Sequence, residues 1–233
     1  MKEFTEIIEA LKSKQNPDNL AGMARYGIKT DKAFGVSLPL IRDLAKRYKN
    51  NHPLALQLWQ SGYHEARIFA TLADNVQLVT EQQMEDWVLD FDSWDVCDQC
   101  CNNLFKKTPY AVKKALEWSG RPEEFVKRAG FVMMACLAVH SRSMPDEEFE
   151  SFLAIIVREA TDERNYVRKA VNWALREIGK RDMKLYAKAL GLSRTLAERS
   201  DKTAHWIGRD AVSDLESGTA IRRMLHKDNL LKS

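Results

Sequence analysis

The chain has 233 residues, 45% hydrophobic and 30% charged, with a formal net charge of +3. That is the make-up of a globular protein that buries a real core. No run of about 18 apolar residues occurs, which excludes a transmembrane helix on sequence grounds.

The first segment, MKEFTEIIEALKSK, reads as an amphipathic helix with charges throughout. It lacks the apolar centre of a secretory signal, so the cytosol is the expected compartment. Cys97, Cys100, Cys101 and Cys136 are then expected as reduced thiols. Further on, apolar residues recur at three- and four-residue steps in LPLIRDLAKRY (38–48), PLALQLWQ (53–60), EARIFATLAD (65–74) and EQQMEDWVLDF (81–91). The same spacing continues in AVKKALEWS (111–119), EEFESFLAIIVREA (147–160) and VRKAVNWALREIGK (167–180), and it predicts helices. Breaks fall at Gly27, Gly62, Gly120 and Pro145, and Pro109 and Pro145 suit the first turn of a helix. With 10 Gly, 6 Pro and little β-branched alternation, the expectation is one all-α domain over residues 1–233 with short connections.

Four of these helical stretches look alike. They are HEARIFATLAD (64–74), EFVKRAGFVMMACLA (124–138), NYVRKAVNWALREIGK (165–180) and TAHWIGRDAVSDL (203–215). The second and third share Val-basic-basic-Ala, which sets Arg128 against Lys169, 41 residues apart. Steps of that length fit degenerate helical hairpins of the HEAT type, stacked into a curved right-handed α-solenoid. The repeats are most evident over 52–215, with a C-terminal tail from about 216, and a plain helical bundle is the bland alternative.

Charge is unevenly distributed. Residues 1–100 carry 11 basic and 15 acidic side chains, and residues 101–233 carry 25 and 18. Asn75 to Cys100 holds no Lys or Arg. The C-terminal part is therefore the expected surface for a polyanion, although a solvated helical face would give the same counts.

The stretch FDSWDVCDQCCNNLF (91–105) concentrates unusual chemistry. On a helix beginning near Ser93, the residues Trp94, Cys97, Asp98, Cys101, Leu104 and Phe105 fall on one apolar stripe. Asp98 is the anomaly there, because a carboxylate on an apolar face needs a partner, a shifted pKa or a cleft. Asp92 and Asp95 read as solvent or first-turn charges, with Ser93 or Asp92 as cap. Cys97 and Cys100, or Cys136 and His140, are spaced like metal-ligand pairs. A structural zinc site, however, brings compact ligand pairs on loops, and buried small hydrophobes are the commoner role of such cysteines. A cysteine nucleophile would need a basic partner that this acidic stretch does not supply locally.

Two residues farther along invite function. Trp173 lies off the stripe Val167–Ala170–Val171–Ala174–Ile178, toward Lys169 and Arg176, where an indole could stack on a base, sugar or cation or simply pack on the basic stems. Arg128 stands at the start of an apolar helix, Ala129–Val139, where it could hold a phosphate or pair with Glu123 or Glu124.

SWDVCD (93–98), EFVKRAGFVMMA (124–135) and YVRKAVNWALREIGKRD (166–182), in that order and spacing, resemble the DNA alkylation repair enzyme family. These are AlkD-like DNA glycosylases built from HEAT-like repeats. MARYGIKTDKAFGVSLPLIRDLAKRY (23–48) is similar to the family's N-terminal region, and the resemblance spans roughly residues 20–215. It implies a basic cradle for duplex DNA and removal of cationic N3- and N7-alkylated purines without a deep base pocket. Trp94 and Trp173 then match the two cleft tryptophans, Asp98 the catalytic carboxylate and Arg128 the arginine beside the lesion's backbone. Lys127, Arg128, Arg168, Lys169 and Arg176 are the expected DNA contacts. No metal, nucleotide cofactor or Schiff-base lysine is required, and a monomer acting on alkylated duplex DNA away from any membrane is expected. The alternatives are a non-catalytic binder of bent or damaged DNA and a helical-repeat scaffold for a protein partner.

Overall fold

A computed structural model describes residues 2–232, with side chains through His226. Among the described residues there is no β-strand, and the predicted all-α class with HEAT-like hairpins is what forms. The chain divides into two compact units, one ending at Ala111 and one beginning at Val112.

The N-terminal unit contains α1 (Lys2–Ser13), α2 (Pro17–Arg25), α3 (Leu38–Ala45), α4 (His52–Gln60), α5 (His64–Ala73), α6 (Glu81–Leu89) and α7 (Trp94–Asn103). α4 and α5 form a hairpin, and α5 also packs on α3 and α7. The core between α4 and α6 is aromatic: Trp59 and Trp87 stack with centroids 3.9 Å apart. α2 was not visible as an apolar period, because none of its residues is buried. Its start is fixed instead by Asn16, whose side chain accepts from the Asp18 and Asn19 N–H groups, and by Pro17 at the first helical position.

The C-terminal unit contains α8 (Ala111–Ser119), α9 (Glu124–His140), α10 (Asp146–Glu159), α11 (Asn165–Gly179), α12 (Met183–Ala197), α13 (Lys202–Leu215) and α14 (Gly218–Lys232). The repeat elements read from sequence are α9, α11 and α13, and α11 packs on both of the others. α10 and α12 pack together behind them, which makes two helical layers. The stripe Val167–Ala170–Val171–Ala174–Ile178 is fully buried, as its spacing predicted.

Three boundaries differ from expectation. α9 starts at Glu124, so Arg128 sits in its second turn rather than at its start. Glu124 is favourable at the positive end of the helix and extends it backward. Pro145 occupies the N-cap and Pro109 lies in the turn before α8, so each precedes its helix instead of opening the first turn. The expected tail is largely helix α14, and Ser233 lies outside the described residues.

Close backbone approach at the α12–α13 contact sets a testable limit. A Cβ on Gly208 of α13 would overlap the Ala197 backbone nitrogen, whereas a Cβ on Gly191 of α12 would meet nothing within 4 Å. Gly208→Ala should therefore lower unfolding stability by about 1–3 kcal/mol. Gly191→Ala should raise it by about 0.5–1 kcal/mol through helix propensity. Urea midpoints of the two variants against wild type check both signs.

Candidate functional site

α7 carries the first candidates. Trp94 and Asp98 lie one turn apart and both are partly exposed. The Trp94 indole N–H donates to the Tyr26 carbonyl at 3.1 Å, which ties α7 to the end of α2. The buried stripe of this helix is Val96, Cys97, Cys100 and Cys101, continuing to Leu104 and Phe105. That corrects the predicted stripe: Trp94 and Asp98 stand at its margin rather than within it. Ser93 takes the N-cap position, but its hydroxyl makes no capping bond.

All four cysteines are buried free thiols. Burial, then the neighbouring Cys97 and Asp74, push the Cys100 thiol far above its ordinary pKa, so it stays protonated and poorly nucleophilic. Among the described residues, no group of three His, Cys, Asp or Glu side chains could hold a metal ion.

Asp95 is a first-turn charge of α7, one of the two places its position suggested, but it is turned to His64 rather than left to solvent. One of its oxygens lies 2.8 Å from His64 Nε2, and the other accepts from the Val96 N–H at 2.9 Å. His64 is only 7% exposed, so this is a nearly enclosed pair. Next to it, the fully buried Glu65 accepts from the backbone N–H groups of Phe34, Gly35 and Val36 at 2.7–3.1 Å. These bonds shape the 34–36 segment, which together with α2, α3, α5 and α7 walls a cavity of about 400 Å³. Trp94, Asp95 and Gln99 line it from α7. The sequence reading missed His64 and Glu65, whose signal is two adjacent polar residues opening a mostly apolar helix.

In the C-terminal unit, Arg128 is buried and donates to the Tyr166 carbonyl at 2.7 Å. Glu123 pairs with Arg121. Lys127 is held between Glu159 at 2.7 Å and Asp162 at 3.2 Å. Arg176 faces Asp210 and Asp214 of α13 at 3.5 and 3.7 Å. Lys169 is exposed and Trp173 half-buried on the same flank of α11. Arg168 lies over the Trp206 ring, 5.1 Å from its centroid. Trp206 is a second partly exposed indole that sequence reasoning did not single out; its signal was its place beside Lys202, His205 and Arg209 on one exposed face of α13.

The family model for DNA alkylation repair enzymes matches residues 7–215. The chain belongs to that family. Among its relatives, an uncharacterised protein of Listeria innocua, Lin0241, is 22% identical over 202 residues. The match covers 85% of this chain and 88% of the relative. An uncharacterised Listeria monocytogenes protein, Lmo0209, is 21% identical over the same share of each. One solved structure aligns with a TM-score of 0.76 at 17% identity, over 89% of this chain and 93% of the other. That protein is described as belonging to a new family related to the HEAT-like repeat DNA glycosylases, with affinity for branched DNA structures. The likeness establishes the HEAT-like fold for this family member as well.

The His64–Asp95 pair gives this DNA alkylation repair family member a pH-dependent contact. Burial alone would depress the imidazole pKa, but the hydrogen bond and charge of Asp95, with Glu65 and Asp92, outweigh it and raise it. A raised folded-state pKa stabilises the fold below the ordinary imidazole value, and the contribution is lost as pH rises through the raised one. The stability gap between wild type and Asp95→Asn should therefore be larger at about pH 5.5 than at about pH 8.5. Denaturant midpoints at the two pH values measure the gap, and an NMR titration should show the His64 pKa falling in Asp95→Asn.

Proposed function

We propose that the protein is a DNA glycosylase that hydrolyses the N-glycosidic bond of cationic N3- or N7-alkylated purines in duplex DNA. The observation that carries this reading is a partly exposed carboxylate, Asp98, one helical turn from a partly exposed indole, Trp94, in a member of the DNA alkylation repair enzyme family. In such a substrate the base already bears positive charge. The bonding pair of the glycosidic bond leaves with the base and quenches that charge. The sugar passes through an oxocarbenium-like state, water oxygen bonds to C1′, and the water's proton goes to solvent. Asp98 stabilises the sugar cation and orients the water. Trp94 and Trp173 lend cation–π stabilisation of about 0.5–2 kcal/mol each. Arg128, its guanidinium oriented by the Tyr166 carbonyl, is assigned to the phosphate beside the lesion. Lys169 and Arg168 supply backbone contacts, whereas Lys127 and Arg176 contribute only by giving up acidic partners within the protein.

A second reading is non-catalytic binding of branched DNA. It is favoured by the affinity described for the solved structural relative and by the acidic partners that already engage Lys127 and Arg176.

Methylated duplex DNA and a four-way junction separate the two. Under the glycosylase reading, wild type releases alkylpurine, and Asp98→Asn slows release by about 10²–10³-fold while DNA affinity is unchanged. Equal, negligible release by both proteins, with tight junction binding, would transfer the assignment to the second reading. Under either, log affinity should fall linearly with log salt by about 0.9 per phosphate contact, and Lys169→Ala should make that slope shallower by about one contact.

A further inference from the structure

The buried faces of α9, α11 and α13 put these three helices in one register. Val126, Gly130, Met133 and Leu137 of α9 stand 41 residues before Val167, Val171, Ala174 and Ile178 of α11. Those four stand 37 residues before Ala204, Gly208, Ala211 and Leu215 of α13. All of them are buried, so each helix turns the same side to the core. Positions that share a register then share a place on the outer side. Arg128 of α9, Lys169 of α11 and Trp206 of α13 are equivalent on this register, and so are Lys127, Arg168 and His205. Because α11 packs on both α9 and α13, these are consecutive rungs of one layer. Two rungs bring pairs of cations. The third brings an imidazole and an indole.

Trp206 is partly exposed, and the Arg168 guanidinium lies 5.1 Å from its ring centroid, joining the second rung to the third. His205 is turned back on its own chain, with Nδ1 2.6 Å from the Ala197 carbonyl oxygen. Lys202 and Arg209 stand about one turn before and after the indole on the same outer face of α13. Both are exposed, and among the described residues no ion pair holds either one. The carboxylates of this helix are occupied elsewhere: Asp201 accepts from the Ala204 N–H as the N-cap, Asp210 faces Arg176, and Asp214 pairs with Lys180. A phosphate gains from a cation and little from an indole. A base gains from an aromatic face whatever its identity, provided that it is not already stacked inside a duplex. An indole between free cations therefore has the composition of a site for an unpaired strand, the ring for a base and the cations for the phosphates beside it.

We propose that the outer face of α13 binds single-stranded DNA, with an unpaired base stacked on Trp206 and the neighbouring phosphates on Lys202 and Arg209. This surface lies one rung beyond the Arg128 and Lys169 positions assigned above to the DNA backbone, so it takes the strand where pairing ends. It asks for no excision and no junction, and Asp98 has no part in it.

The test uses the full chain, a fluorescein-labelled oligothymidylate of about ten nucleotides and a blunt duplex, with binding followed by anisotropy. Trp206→Ala should weaken the oligothymidylate about tenfold and the duplex less than about twofold. Trp206→Phe should restore most of the lost affinity, because a phenyl ring still stacks. Lys202→Ala with Arg209→Ala should make the slope of log affinity against log salt shallower by about 1.4 for the oligothymidylate, about 0.7 for each contact. Both of those residues are exposed, so this variant keeps its fold and decides the matter even if Trp206→Ala does not fold, which thermal melts check. No saturable binding of oligothymidylate at low salt overturns the proposal. So does a folded Trp206→Ala that binds it as tightly as wild type, or one that loses strand and duplex equally. An unchanged salt slope in the double variant overturns the phosphate contacts. Tighter binding of an oligouridylate of the same length overturns the choice of DNA. Excision from a methylated blunt duplex by a protein that ignores oligothymidylate sinks this proposal alone. Strand binding without excision sinks the glycosylase reading and leaves the α13 face standing.

Discussion

A buried carboxylate organises the N-terminal unit. Glu65, 1% exposed at the start of α5, receives three consecutive backbone N–H groups from Phe34, Gly35 and Val36. A charge taken from water costs several kcal/mol unless hydrogen bonds replace its hydration, and an α-helix leaves its own first N–H groups unpaired nearby. The three N–H groups replace that hydration, and Glu65 in turn fixes a connection that has no regular structure of its own. Gly35 is required within it: its φ is +75°, and a Cβ would overlap the Asn16 carbonyl oxygen. The Gly35–Val36 wall of the cavity is thereby placed by one side chain on another helix.

The C-terminal unit solves the same problem with opposite charge. Arg181 donates to the carbonyls of Ser141, Arg142 and Met144, the residues that link α9 to α10. Arg164 donates to the Pro122 carbonyl before α9, and Arg128 to the Tyr166 carbonyl in α11. Helical hairpins bury their apolar faces readily, but the turns between them expose carbonyl oxygens that need donors. Long, planar guanidinium groups reach those turns from the neighbouring repeat. The basic excess of this half is thus partly structural, and a count of Lys and Arg overstates the charge available to a polyanion.

That distinction explains what could be read from the sequence and what could not. The helices α9 and α11, and the order of the repeats, were legible because apolar spacing and burial share one period, as the fully buried stripe from Val167 to Ile178 shows. Trp173 was legible as a residue off that period and Asp98 as a charge placed on an apolar one; the period misplaced Trp94 and Asp98 within the buried stripe, and all three are partly exposed. The partners of charged groups were not legible. Nothing near Asp95 in sequence announces His64, 31 residues away, and nothing near Lys127 announces Glu159 and Asp162. Long-range pairing of charges follows from which helices touch, and that information lies in the packing rather than in any local pattern.

α7 shows how one short helix can serve several demands. Its inward face is made of small, soft residues, Val96, Cys97, Cys100 and Cys101, which let it lie close on α5. Its first turn brings Asp95 against His64 and Trp94 against the end of α2, so the N-terminus of the helix is fastened on two sides. Asp98 comes one turn later and is left partly exposed on a rigid support. The role proposed for Asp98 needs that combination, because a group placed on a mobile segment loses the orientation on which electrostatic stabilisation depends. The buried Cys100 thiol on the same helix, its pKa pushed up by burial, adds packing without adding a competing nucleophile.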